Sequence, residues 1–171
     1  MDETMDNQQV KDTDLAWLAG IIDGEGNISL ICRKSRGGIY RPFIVITNTD
    51  IRILEKCQNI GHQLGINFYI YKRQIKDRQK HKLAYNALTQ KMGHVVKLIP
   101  YLLPYLIAKK DQAQILLEFS LYRLENLRSH KHDWNKENLW YQKIKNLNQK
   151  GPNSSETIRQ PLTREDIVQS K

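Results

Sequence analysis

The sequence predicts an α+β fold in which two antiparallel hairpins build one sheet and helices cover a single face of it. Three observations lead there. Apolar residues recur at helical spacing from Leu15 to Ile22 and switch to alternation after Gly26. The alternating segments come in consecutive pairs joined by polar turns, which makes hairpins rather than βαβ units. A helical segment follows each pair, giving the order α-β-β-α-β-β-α-α with further helical sequence behind it.

The first helix is expected from about Leu15 to Ile22. Asp12, Thr13 and Asp14 precede it as helix-starting residues, and Gly24 and Gly26 follow it where a helix stops. The first strand places Ile28, Leu30 and Cys32 opposite Asn27, Ser29, Ile31 and Arg33, and Ser35 to Gly38 make the turn. The second strand alternates Tyr40, Pro42, Ile44 and Ile46 with Ile39, Arg41, Phe43 and Val45. Thr47 to Asp50 carry helix-capping chemistry for a helix with Ile51, Leu54, Cys57, Gln58 and Leu64 on one face, ending at Gly65. The second hairpin pairs residues 66–73 with a return strand around 82–87, across a basic turn at 76–80. A short helix from Gln90 to Leu98, a corner at Pro100 and Pro104, and a long helix from about Tyr105 to Leu124 follow, the last with Leu106, Ala113, Leu116, Leu117 and Leu121 recurring on its apolar side. Beyond a polar stretch, a helix from about Lys136 to Lys150 is expected, then short elements interrupted by Pro152 and Pro161. The domain reading is a flexible tail at 1–11, a core at 12–128 and a helical extension at 129–171.

The 171 residues suit one domain with an extension, and 40% hydrophobic content sustains a core. The longest apolar run, near Ile99 to Ala108, is interrupted by two prolines, so no membrane span is expected. Cys32 and Cys57 fit neither a metal spacing nor a disulfide framework, and no targeting segment is recognisable, so an intracellular, reducing setting is expected. The charge carries more information. Of a net +9, residues 1–25 hold seven acids against Lys11, a balance of −6, and the remainder carries +15. Such a basic body points to a polyanionic partner. From Lys72 to Lys91 there are seven basic residues and one acid, Asp77. The uncovered sheet face, with Ser29, Arg33, Arg41, Tyr69, Tyr71, Arg73, Lys82 and Asn86, is suited to a DNA major groove.

The chemistry concentrates at the end of the first helix. Ala16, Gly20 and Gly24 are four apart and form a stripe almost without side chains, along which a second helix can approach closely. Glu25 sits at the negative end of the helix dipole, a conflict of roughly 0.3–1 kcal/mol that a bound cation would remove. No other site chemistry fits: His130-Lys131-His132 lacks further ligands for zinc, and no P-loop, dinucleotide glycine pattern or Ser or Cys nucleophile motif occurs.

The run Leu18-Ala19-Gly20-Ile21-Ile22-Asp23-Gly24-Glu25-Gly26 resembles the LAGLIDADG motif of homing endonucleases, with Glu25 and Gly24 as its variant positions. The resemblance extends over most of residues 13–125, because the element order matches the family's saddle-shaped αββαββα half with helices appended. One motif implies the single-motif branch, a homodimer meeting along Ala16, Gly20 and Gly24 and reading a palindromic or nearly palindromic double-stranded DNA site. It implies Glu25 and the Gly24 carbonyl as ligands for Mg²⁺, with Mn²⁺ or Ca²⁺ as other occupants, and hydrolysis of both strands to leave short 3′ overhangs. Asp23 is read as fixing the helix end rather than binding metal. Asn48 falls where the branch has a residue organising active-site water, and Lys109 or Lys110 where it has a basic residue near the scissile phosphate. The DNA-facing set implied is Ser29, Ile31, Arg33, Ser35, Arg41, Phe43, Tyr69, Tyr71, Arg73, Lys82 and Asn86, with Lys150, Ser155 and Thr157 contacting the backbone. The alternatives are an intron-RNA maturase and a DNA-binding regulator without cleavage.

Overall fold

The computed structural model describes residues 10–33, 39–73, 82–126 and 133–150. Helix α1 (Asp12–Glu25) leads into β1 (Gly26–Arg33), β2 (Ile39–Asn48), α2 (Ile51–Gln63), β3 (Tyr69–Lys72), β4 (Tyr85–Thr89), α3 (Met92–Leu102), α4 (Lys110–Glu125) and α5 (Trp134–Lys150). Every strand pairing is antiparallel and the order is β1-β2-β4-β3, so the two hairpins meet through β2 and β4. This is the α+β arrangement that the sequence predicts.

Alternation decides which side of the sheet is covered. Ile28 and Leu30 of β1, Tyr40, Ile44 and Ile46 of β2, and Ala87 and Thr89 of β4 are buried on the helical side. They meet Leu18, Ala19 and Ile22 of α1, Leu54, Cys57 and Ile60 of α2, Val95, Leu98, Ile99 and Leu102 of α3, and Ala113, Leu116 and Phe119 of α4 in one core. Among the described residues, the opposite face carries no helix and its side chains are half-buried or exposed.

Helix α1 runs past the stop expected at Ile22 and takes Gly24 into its last turn. Its end is not a left-handed glycine: Gly26 has φ −88° and ψ 162°, and donates its N–H to the Ile22 carbonyl. What Gly26 supplies is room. A Cβ there would lie 2.6 Å from the Ile22 oxygen and 2.8 Å from the Ile22 Cα. The chain can therefore pass directly from helix to strand.

The second hairpin is shorter than expected. Residues 66–68 are not strand, because α2 holds them: Ile66 N–H donates to the Gly61 carbonyl at 2.8 Å and Gln58 Nε2 to the Phe68 carbonyl at 2.6 Å. Close packing reinforces this, since a Cβ on Gly61 would meet the Phe68 ring at 2.9 Å. The return strand begins at Tyr85, so Arg73 and Lys82 lie just outside the ladder, joined to it where Arg73 N–H donates to the Ala84 carbonyl. At the start of α2, the Asp50 carboxylate caps Arg52 N–H at 3.0 Å and pairs with the Arg52 guanidinium, which lowers its pKa to about 2.

The proline corner also differs. Helix α3 continues through Pro100 to Leu102. Proline inside a helix costs about 3 kcal/mol, whereas burying Leu98, Ile99 and Leu102 contributes roughly 1.5–3 kcal/mol each, so packing outweighs the lost hydrogen bond. Helix α4 begins at Lys110 rather than near Tyr105. Its buried side includes Gln112, Ser120 and Arg123, while Leu121, expected inside, is 40% exposed. The cause is α5, which covers α4 on that side. Arg123 Nη1 pairs with Glu137 Oε1 at 2.9 Å, with side chains 8% and 0% exposed. Trp140 of α5 stands edge-on to Phe119, Ile144 enters the core, and Leu139 is exposed. Two more bonds tie α5 to the sheet: Tyr40 Oη donates to Asn138 Oδ1 at 3.0 Å, and Asn148 Nδ2 donates to the Ile28 carbonyl of edge strand β1 at 3.0 Å. The expected turns at 35–38 and 76–80, the tail before residue 10 and the elements after Lys150 lie outside the described residues.

Candidate functional site

Five residues implicated by the sequence gather where α1 hands the chain to β1. Glu25 ends the helix with an exposed side chain, next to exposed Gly24. Among the described residues, the Glu25 carboxylate makes no hydrogen bond or salt bridge. Asp23, one turn-face away, is fully engaged. Its Oδ2 accepts the Ile107 N–H at 2.7 Å and its Oδ1 accepts the Lys109 N–H at 2.9 Å. The carboxylate thereby serves the N-terminus of α4, whose first turn leaves backbone donors without intrahelical partners and whose dipole favours an anion. Asp23 fixes the approach of a second helix as well as the end of its own.

The same clamp orients Lys109. Its Nζ donates to the Asp23 backbone carbonyl, and its charge feels both Asp23 and Glu25. Burial is the largest influence and lowers the Lys109 pKa from the ordinary lysine value, against the two carboxylates that raise it. Lys110, the other register, is the first residue of α4 and has none of these bonds among the described residues. Asn48 ends β2 two positions beyond the partner of Gly26, hence at the same edge of the sheet as Glu25. Its Oδ1 accepts the Asp50 N–H at 2.9 Å, shaping the turn into α2.

The metal ligands available from one chain are the Glu25 carboxylate and the Gly24 carbonyl. Among the described residues, no group of three His, Cys, Asp or Glu side chains could hold a metal ion. Both donors are hard oxygens at an exposed helix end, the chemistry that Mg²⁺ or Ca²⁺ requires, but they fill only part of a coordination shell. Beside them, Ala16, Gly20 and Gly24 lie exposed along α1, and a Cβ built on Gly20 or Gly24 meets nothing within 4 Å. The small-residue stripe is therefore open surface in the single chain, away from the buried side of Leu15, Leu18, Ala19 and Ile22.

The open sheet face starts at this same edge. Register and exposure bring Ser29, Ile31, Arg41, Phe43, Tyr69, Tyr71 and Asn86 together there, with Arg73 and Lys82 exposed at one margin. The Tyr69 and Tyr71 rings stack with centroids 5.8 Å apart. The Arg33 backbone belongs to β1, but its side chain, the Lys150 side chain, Ser35, Ser155 and Thr157 lie outside the described residues. Asn27, Val45, Thr47 and Leu88 also occupy this face, and the site reading left them out. Continuing the period-two count from Asn86 to Leu88 would have found the last of them.

A family model described as a LAGLIDADG-like domain matches residues 12–118. Among solved structures, the chain is similar to the homing endonuclease I-CvuI in complex with its target in the presence of Ca, at 20% identity and a TM-score of 0.60, covering 92% of each chain. A second I-CvuI structure, with the I-CreI target in the presence of Mg and with the DNA not cleaved, matches at 21% identity, a TM-score of 0.59 and the same coverage. The archaeal intron-encoded homing endonuclease I-Vdi141I complexed with DNA matches at 19% identity and a TM-score of 0.64, over 92% of this chain and 94% of that one. No curated protein sequence matches the chain. At these identities the structural likeness establishes the fold, and the family model, spanning well over half of the sequence, establishes the kinship: the chain belongs to the LAGLIDADG family and has the homing-endonuclease fold.

Proposed function

We propose that the protein is a site-specific DNA endonuclease that works as a homodimer and cuts both strands of a long, nearly palindromic site with Mg²⁺, leaving short 3′ overhangs. One observation carries the reading: the exposed Glu25 stands beside a fastened lysine at the end of a helix whose small-residue stripe is open. A carboxylate kept only for folding would be engaged as Asp23 is. The DNA complexes of I-CvuI and I-Vdi141I support the choice of partner, and the Ca and Mg conditions of the former support a divalent metal.

In this reading two copies meet along Ala16, Gly20 and Gly24 about a two-fold axis, which brings both Glu25 residues to one place. Glu25 and the Gly24 carbonyl of each copy would hold the metal, completed by phosphate oxygens and water. When bound, Mg²⁺ lowers the pKa of water and neutralises charge developing on the phosphate. The chain's own residues do the rest. Lys109, held by Asp23, presents a positive charge near the scissile phosphate, and Asn48 shapes the adjoining turn, with its amide group available to orient water. The open sheet follows the major groove, while Arg73, Lys82 and Lys150 neutralise phosphates and Ser155 and Thr157 contact the backbone. The setting is intracellular, where the target DNA is.

The test is Glu25→Gln, which keeps size and hydrogen bonding but removes the charge. Cleavage of a selected site should be lost while DNA binding persists. Full cleavage by this variant would overturn the metal assignment, and failure of the unaltered chain to bind duplex DNA would overturn the whole reading.

A further inference from the structure

The open face of the sheet has a middle that the net charge of the chain does not foreshadow. Cross-strand register sets Asn27 opposite Val45, Val45 opposite Leu88 and Leu88 opposite Tyr69, so one row crosses all four strands. A neighbouring row joins Thr47, Asn86 and Tyr71, with Thr47 Oγ1 donating to Asn86 Oδ1 at 2.9 Å. On the other side Ser29 faces Phe43, and then Ile31 faces Arg41. Among the described side chains of these strands, Arg41 is the one cation on this face. Arg73 and Lys82 stand beyond the strand ends. A cationic margin thus frames an apolar middle of Val45, Leu88 and Phe43.

An antiparallel sheet facing plain water carries polar residues on that side. Half-buried aliphatic groups at its centre call for an occupant with apolar points, and the surrounding charge, within a chain of net +9, calls for a polyanion. Duplex DNA meets both demands. The apolar feature among base edges in the major groove is the thymine C5-methyl group, whereas guanine offers the acceptor pair that arginine reads. Position follows from the strands. Row 27–45–88–69 lies next to the α1 end, and Ile31 and Arg41 lie four residues farther out, about 13 Å at the strand rise. That is roughly four base pairs at 3.4 Å each.

We infer that Val45, Leu88 and Phe43 read thymine methyl groups in the inner part of each half-site, and that Arg41 reads guanine about four base pairs outside it. The inference rests on the endonuclease reading above and deepens it, by assigning a base class to the surface.

The experiment uses the full chain. Binding sites are selected from randomised duplex DNA with divalent metal chelated. The best site is then rebuilt with deoxyuridine in place of inner thymines, a change that removes only the methyl groups. Each deleted methyl should weaken binding about fourfold, the worth of one buried carbon group. In a Val45→Ala, Leu88→Ala double variant, shown by its melting temperature to be folded, the deoxyuridine effect should shrink below about twofold. Selected sites without inner thymines, or affinity indifferent to deoxyuridine, would overturn this inference while leaving DNA binding intact. An undiminished effect in the double variant would overturn the residue assignment. Failure to select any duplex would overturn the endonuclease reading itself.

Discussion

Asp23 joins two parts of the chain that lie more than eighty residues apart, and its removal tests whether it positions the site. Its two acceptor bonds, 2.7 Å to Ile107 N–H and 2.9 Å to Lys109 N–H, are charge-assisted. Bonds to a charged group contribute about 1.5–3 kcal/mol each when shielded. The Ile107 bond is exposed, so it belongs at or below the bottom of that range. Asp23→Ala should therefore cost about 2–4 kcal/mol. Asp23→Asn should cost about half as much, because its amide keeps one acceptor and turns a donor toward the other N–H. In a chain of this size each kcal/mol lowers the melting temperature by about 2–4 °C, giving roughly 4–16 °C for the alanine variant. Thermal unfolding measures this, and hydrogen exchange at Ile107 and Lys109 locates it: both amides should lose protection in Asp23→Ala. Cleavage should fall further than stability explains, since the Lys109 backbone loses its anchor and only the Nζ bond to the Asp23 carbonyl remains. An Asp23→Ala protein that melts as the wild type does, with both amides still protected, would refute the clamp.

Glycines on α1 and just past it should behave oppositely. Gly26→Ala forces a Cβ against helix backbone and should destabilise the chain by about 1–3 kcal/mol in denaturant unfolding; an unchanged midpoint would contradict the close approach. Gly20→Leu meets open space within the chain, so it should leave the fold intact and halve the molar mass measured by light scattering if the stripe is the dimer contact. Glu137→Ala removes the buried carboxylate that pairs with Arg123 and should cost about 3–5 kcal/mol by thermal or denaturant unfolding, whereas a loss under 1 kcal/mol would mean that α5 is only loosely docked. Cys57 is fully buried and its thiol pKa is pushed up to about 12, so a thiol reagent at pH 8 should label Cys32 alone until the protein unfolds.

Local pattern carried most of the fold. Alternation from Ile28 to Leu30 and from Tyr40 to Ile46 assigned the covered and open faces correctly, because burial in a sheet follows a period of two. Errors arose where distant contacts outweigh local preference. Pro100 reads as a break, yet three buried neighbours carry α3 through it. Residues 66–68 alternate like a strand, but α2 claims their backbone. Leu121 fits an apolar stripe that ignores α5, whose Glu137 lets Arg123 be buried in its place. The place of Glu25 at the exposed end of α1 was legible from the motif. The bonds from Ile107 and Lys109 to Asp23 were not, since nothing within a few residues of either end announces the other.

The Asn148 bond to the Ile28 carbonyl has a consequence for how copies of this chain meet. Strand β1 is an outer strand, and an uncovered row of carbonyls and N–H groups invites another strand to add on. Addition of β1 to the opposite outer strand, β3, of another copy has no built-in end: each new copy offers a free border again, and the product grows. The proposed contact along Ala16, Gly20 and Gly24 would be self-complementary and finish when two copies meet. By laying α5 beside β1, the chain discourages open-ended growth along that border. In the proposed pairing, assembly would then end at two copies rather than run on as filaments.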